Sequence, residues 1–235
     1  MLTLLVLGLL AGALTTVAGM GGGLLLIATV GVMQGPHAAL AITSPALLVS
    51  NAHRAYLFRR DIDRKIAKTF ALGALPGAIL GGWFVPTLPA TVLTAILVAA
   101  TALTLAKVLG VFKFEAKPKA IGTSAFGIGV LTATAGGAGV LTSPLLLSAG
   151  LEGSAYIATI AVAAVSMHVG RVIGYGASGM FHGEMVPSIA LLALALVAGN
   201  LVGKRLRRMV PAKKEIYVEV GALAICTAIA ALGLR

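Results

Sequence analysis

Two glycine clusters carry the most specific chemistry this chain offers. Gly19-Met20-Gly21-Gly22-Gly23 interrupts an apolar run from Met1 to Met33, and Gly136-Gly137-Ala138-Gly139 interrupts another from Ile121 to Ala149. A helix that starts just after such a break presents unpaired N–H groups and a positive dipole end, which favour an anion by about 0.3–2 kcal/mol per end. Glycine also lets the backbone approach a ligand closely. On this reading Gly21, Gly22, Gly23, Gly137 and Gly139 offer backbone N–H groups to a small anion. Thr43, Ser44 and Thr159 add hydroxyl contacts, and Asn51 or His168 adds orienting hydrogen bonds. Each assignment has a plainer competitor. Glycine clusters also serve tight helix packing in membranes, the kink at Pro45 can be satisfied by its own Thr and Ser, and His168 can serve as an interhelical hydrogen bond. Arg171 reads as a side chain near the outer end of its helix that snorkels to the interface, with anion attraction as the lesser reading.

No enzyme constellation accompanies these residues. There is no H-E-x-x-H, no G-x-S-x-G, no phosphate loop and no paired-carboxylate motif. The single cysteine, Cys226, excludes a disulfide framework or a cysteine metal site. The seven acidic residues fall mostly at loops or interfaces, so no cofactor or metal is implied.

The elements that must position such a site are membrane helices. Of 235 residues, 59% are hydrophobic and 11% charged, against about half apolar and a quarter charged in soluble domains. Mean hydropathy is +1.03. The net charge of +11 would suggest nucleic acid in a soluble protein. Here 16 of the 18 basic residues cluster in Arg54 to Lys68, Lys107 to Lys119 and Lys204 to Lys214. Beside apolar segments, these read as cytoplasmic loops facing anionic lipid, and nucleic acid is not an expected partner. No basic stretch precedes the first apolar run, which is therefore expected to be a structural helix and not a cleaved signal.

Apolar runs and breakers predict ten helical segments, near 2–18, 22–34, 37–58, 66–85, 89–110, 120–135, 138–149, 153–175, 185–205 and 212–234. Placing Gly19 on Gly136, an offset of 117 residues, also aligns Gly12 with Gly129, Gly22 with Gly139 and Arg54 with Arg171. Gly77 and Gly81 fall near Gly199 and Gly203, the self-similarity of a duplication. The loop after the third segment is basic and the next uncharged, while in the second half this order reverses. Equivalent loops then lie on opposite sides of the membrane. The expected fold is an all-α polytopic membrane protein of two inverted repeats, residues 1–110 and 120–235, joined by a cytoplasmic linker at 111–119. Each repeat is a glycine-broken helical hairpin, re-entrant or fully spanning, followed by three transmembrane helices. Both termini are expected outside.

The early Gly-x-Gly-Gly-Gly, the downstream Ala39-Leu40-Ala41-Ile42-Thr43-Ser44 and their recurrence in the second half resemble the TauE/SafE family of membrane permeases. The resemblance covers essentially the whole chain. It implies export or import of sulfite, sulfonates and related organic anions, in a bacterial inner membrane. The second half departs from the pattern in its shorter glycine run and in Thr159-Ile160, which lacks the serine. The expected function is a secondary transporter moving a small anion by alternating access, with the substrate held near the midplane between the two hairpins. A passive anion channel, an intramembrane enzyme and a membrane scaffold are the alternatives. Coupling to H⁺ and assembly as a homo-oligomer are left open.

Overall fold

Long apolar stretches with small residues at regular spacing leave the backbone no partner but itself, and the described chain is helical accordingly. The structure is a computed structural model, and it describes residues 1–19, 21–108, 121–207, 209 and 221. Their α-helices are α1 (Leu2–Ala18), α2 (Gly22–Gln34), α3 (Pro36–Leu57), α4 (Arg64–Phe84), α5 (Ala90–Val108), α6 (Ile121–Ala135), α7 (Ala138–Ser148), α8 (Gly153–Ala177) and α9 (Val186–Arg207). These agree with the first nine predicted segments to within a few residues. The tenth segment, 212–234, and the linker 111–119 lie outside the described residues. The stretches Arg64–Thr87, Gly153–Ala177 and Gly183–Arg207 are long and apolar enough to cross a membrane.

The breaks fall where sequence chemistry puts them. Gly19 closes α1 at φ 83° and Gly21 opens α2 at φ 94°, backbone geometry that a side chain would strain. Gly137 opens α7 at φ 62°. Pro36 occupies the first turn of α3, where its missing N–H costs nothing. The Asp63 side chain accepts from the Ile66 N–H at 2.9 Å and caps α4.

Two helix pairs are built on glycine, and they match contact for contact. A Cβ at Gly12 of α1 would sit 2.3 Å from the Leu196 carbonyl oxygen of α9, and one at Gly129 of α6 would sit 2.3 Å from the Ala74 carbonyl oxygen of α4. From the other side, a Cβ at Gly199 would clash with the Leu9 carbonyl oxygen and one at Gly77 with that of Phe126. Gly203 and Gly81 repeat the relation with Ala13 and Val130. The small residues let the backbones touch, which is how helices associate where lipid offers no hydrophobic drive.

Buried side chains gather into one cluster from α1, α2, α3, α5 and α9 that also takes in Tyr175 of α8 and Met180, a second from α4, α6, α7 and α8, and a smaller third from α7 and the start of α8. Each sequence half thus contributes a helix to the other's cluster: α4 packs on α6 and α8, and α9 packs on α1 and α3. The most enclosed of the three spanning stretches is α8, with 72% of its apolar window buried inside the protein. Lys204 at the end of α9 lies 5.9 Å from the Phe58 ring just after α3, and Arg207 donates to the Val17 carbonyl oxygen at 3.0 Å. The ends of α1, α3 and α9 therefore share the face that carries the basic loops. The Asp63 N–H donates to Thr159 Oγ1 at 3.0 Å, so α4 and α8 start at that face. At the other face His37, opening α3, bonds to the Leu88 carbonyl oxygen at 3.1 Å.

Candidate functional site

The protein buries two arginines that the sequence reading did not place in its interior. Arg54, counted with a basic loop, is 2% exposed, and Arg171, expected to snorkel, is 0% exposed. Arg54 bonds to the end of α1 and its glycine tip, and Arg171 lies on α8, which packs on α4, and bonds to Tyr175. Tyr175 is likewise buried, and its hydroxyl donates to the Ala133 carbonyl oxygen. Trp83 and Phe84 are exposed, as suits aromatic side chains at a membrane interface.

The two guanidinium groups are held alike. Arg54 Nη2 donates to Asn51 Oδ1 at 2.8 Å, and Arg171 Nη1 donates to His168 Nδ1 at 3.3 Å. Each partner lies three residues earlier, one helical turn away, and the two pairs are again 117 residues apart. Arg54 Nη1 also donates to the Thr15 carbonyl oxygen at 2.9 Å and the Gly19 carbonyl oxygen at 3.4 Å. Both carbonyls lie at the negative end of α1, that of Thr15 also accepting the Gly19 N–H at 2.9 Å, so the arginine fixes the first glycine tip. Arg171 Nε donates to the Tyr175 hydroxyl at 3.2 Å. What remains is one buried nitrogen on each guanidinium without a partner, Arg54 Nε and Arg171 Nη2. No carboxylate pairs with either guanidinium among the described residues. A buried cation lacking a counter-charge is destabilising by several kcal/mol, roughly, unless an anion completes it.

The predicted site residues divide in two. Asn51 and His168 stand beside the arginines, each orienting one of them. Asn51 Nδ2 donates to the Leu47 carbonyl oxygen at 2.8 Å, which fixes its amide. Since a guanidinium only donates, His168 Nδ1 is an acceptor here and its ring proton lies on Nε2. Thr43 and Ser44 are buried and donate to the Ala39 and Leu40 carbonyl oxygens at 2.7 and 2.5 Å, leaving only acceptor lone pairs free. Thr159 ties the α3–α4 turn to α8 through the Asp63 N–H and stands apart from the arginines in role.

The glycines form the two tips and pack them together. A Cβ at Gly22 would meet the Ala11 carbonyl oxygen and Thr15 Oγ1 at 2.1 Å, so that position holds α2 against α1. A Cβ at Gly23 would lie 3.5 Å from Leu47. The second tip seats on the first turns of α2: a Cβ at Gly136 would clash with Ile27 and one at Gly137 with Leu24. Gly21 caps α2, and Gly139 lies in the first turn of α7. Tyr156 of α8 lies under the first tip, 2.7 Å from where a Cβ of Gly19 would be, and donates to Ser143 Oγ at 2.7 Å.

Asn200 is a further polar residue that the sequence reading passed over. Its Nδ2 donates to the Ser50 carbonyl oxygen at 2.9 Å and its Oδ1 accepts from Thr16 Oγ1 at 2.9 Å, joining α1, α3 and α9. The signal was an amide alone in the apolar run of α9. At the face away from the basic loops a recess of about 500 Å³ is lined by Gln34, His37, Ser178, His182 and Met185 among others. None of the predicted site residues lines it.

A family model described as Sulfite exporter TauE/SafE matches residues 4–231. The chain belongs to the TauE/SafE family. No curated protein and no solved structure matches it. TauE/SafE proteins are multi-pass membrane transporters and not enzymes, in agreement with the apolar spanning helices of this one. For a TauE/SafE chain, the buried arginine pair has a direct chemical sense: two fixed cations, each oriented by a neutral neighbour and each with an N–H to spare.

Proposed function

We propose that this TauE/SafE protein is a secondary transporter of a small oxyanion, sulfite or a sulfonate, and that the anion is held between Arg54 and Arg171. The observation that carries the reading is the pair of buried guanidinium groups, each with an unpartnered nitrogen and neither with a carboxylate. Sulfite and sulfonates present three oxygens around one sulfur, enough acceptors for two guanidinium groups at once, and arginine is suited to such planar, forked recognition. Asn51 and His168 orient the arginines, and the tips at Gly19 to Gly23 and Gly136 to Gly139 close the site above and below.

The same reading takes the chain as two inverted repeats working by alternating access. The matched glycine contacts of α1 with α9 and α6 with α4 support the duplication. The basic face, where α3 ends and α8 begins, supports the inversion. The bodies that rock are then the two larger side-chain clusters and not the two sequence halves, since α4 and α9 have changed places. The basic loops face the cytoplasm.

The test is uptake of labelled sulfite into proteoliposomes by the wild type, Arg54→Gln and Arg171→Gln. Saturable uptake that both substitutions abolish is the expected result. Wild-type uptake no greater than that of empty vesicles, or full uptake by both variants, would overturn the reading.

A further inference from the structure

The two halves of the site differ at one titratable position. Arg54 donates to an amide oxygen, that of Asn51, whereas Arg171 in the equivalent place donates to an imidazole nitrogen, Nδ1 of His168. An amide takes no proton near neutral pH, and an imidazole does. His168 is 2% exposed, so any proton it accepts is held inside the protein. On its own helix it faces the Arg171 guanidinium, with the Tyr175 phenol beyond, and the anion site proposed above sets Arg54 of α3 across the anion.

The consequence is electrostatic. A second ring proton on His168 would set a third cation beside two arginines and turn the acceptor facing Arg171 Nη1 into a donor. An anion lying against Arg171 Nη2 and Arg54 Nε cancels the repulsion and gives the new N–H something to bond. Whatever factor the anion adds to the proton's affinity, the proton adds to the anion's. Asn51 has no such second state.

We propose that His168 takes up a proton together with the anion, so that the protein is an anion–H⁺ symporter with its proton site in the second half only. The inference rests on the anion site between the arginines. In the step, H⁺ from solvent adds to His168 Nδ1 and the Arg171 Nη1 to Nδ1 hydrogen bond breaks. Nη1 and the new Nδ1–H both turn to anion oxygens. On release the proton leaves Nδ1 with the anion and the hydrogen bond forms again. Arg54, held by Asn51, keeps its geometry in both states.

The decisive variant is His168→Asn, which copies the first half: it keeps an acceptor for Arg171 and removes the proton. Sulfite binding is measured by calorimetry on the purified full chain across the pH range in which imidazole titrates, with wild type and variant compared at each pH so that protonation of sulfite itself cancels. Lowering the pH should tighten wild-type binding by about 5- to 150-fold relative to the variant, the usual range for linked sites. In proteoliposomes, corrected for empty vesicles, His168→Asn should lose accumulation of labelled sulfite driven by a proton gradient. Accumulation by the variant equal to wild type overturns the proposal. So does loss of binding in both His168→Asn and His168→Gln, because holding the anion is assigned to the arginines. Absence of labelled-sulfite counterflow in the wild type would instead defeat the anion site itself, and this inference with it.

Discussion

Arg54 reaches three acceptor atoms only because its guanidinium is a rigid fork: Nη1 spans the Thr15 and Gly19 carbonyl oxygens while Nη2 holds Asn51. A lysine there keeps the charge but cannot span those partners or leave a directed N–H for a ligand. Arg54→Lys should therefore weaken sulfite binding by about 10- to 150-fold, the equivalent of one charged hydrogen bond at about 1.5–3 kcal/mol, as read by calorimetry. Asn200→Leu tests the neighbouring network separately. It strips Thr16 Oγ1 of its acceptor and removes the donor to Ser50, at a cost of about 1–3 kcal/mol. A lower melting temperature in detergent with sulfite affinity unchanged is the expected result. At this scale the sequence was only half readable. Asn51 and His168 stood out as polar residues in apolar helices, yet the arginines they orient did not. Arg54 lies close to the end of α3 and Arg171 toward the end of α8, positions from which a long side chain ordinarily reaches water. Burial of both depends on helices far away in sequence. A usable signal was present all the same: the two arginines share the 117-residue offset of the glycine tips, and each follows a polar residue by three.

Between elements, glycine decides how near two helices come. Gly12 and Gly129 would each place a Cβ 2.3 Å from a carbonyl oxygen of the facing helix, whereas a Cβ at Gly127 of α6 would meet nothing within 4 Å. Gly12→Ala and Gly129→Ala should thus destabilise the protein to a similar degree, because both force the same backbone pair apart. Gly127→Ala should be neutral or stabilising by up to about 1 kcal/mol, since only helix propensity changes. Thermal unfolding of the three variants checks this, and a Gly12→Ala variant as stable as Gly127→Ala would contradict the packing described. The pairs themselves were legible, since Gly77 with Gly81 and Gly199 with Gly203 recur in corresponding places. Their partners were not. A stripe of small residues names a contact face without naming what meets it, and nothing local says that α4 joins α6 or that α9 joins α1. The glycines first read as an anion cradle show the same limit. Gly22 and Gly137 lie at helix starts as expected, yet the space their missing side chains leave is filled by α1 and by Leu24.

For the molecule as a whole, the claim with most at stake is which loops share a side of the membrane. The basic turn after α3 and the basic end of α9 come from different halves, and the contact of Lys204 with Phe58 puts them at one face. The uncharged turns after α4 and after α8 meet at the other, where His37, Pro86, Ser178 and His182 line one recess. The positive-inside rule predicts that this basic face is the cytoplasmic one. Cysteines introduced singly at Asp61, Arg205 and Glu184 in a Cys226→Ala background probe this directly. With a membrane-impermeant thiol reagent on intact cells, Glu184→Cys should label, while Asp61→Cys and Arg205→Cys should label only after the membrane is opened. If Asp61→Cys and Arg205→Cys reported opposite sides, the two halves could not be inverted relative to each other. Arg54 and Arg171 would then not approach one anion from opposite directions. Labelling of all three from outside would keep the shared basic face for the first two but break the separation from Glu184 on which access from alternating sides depends.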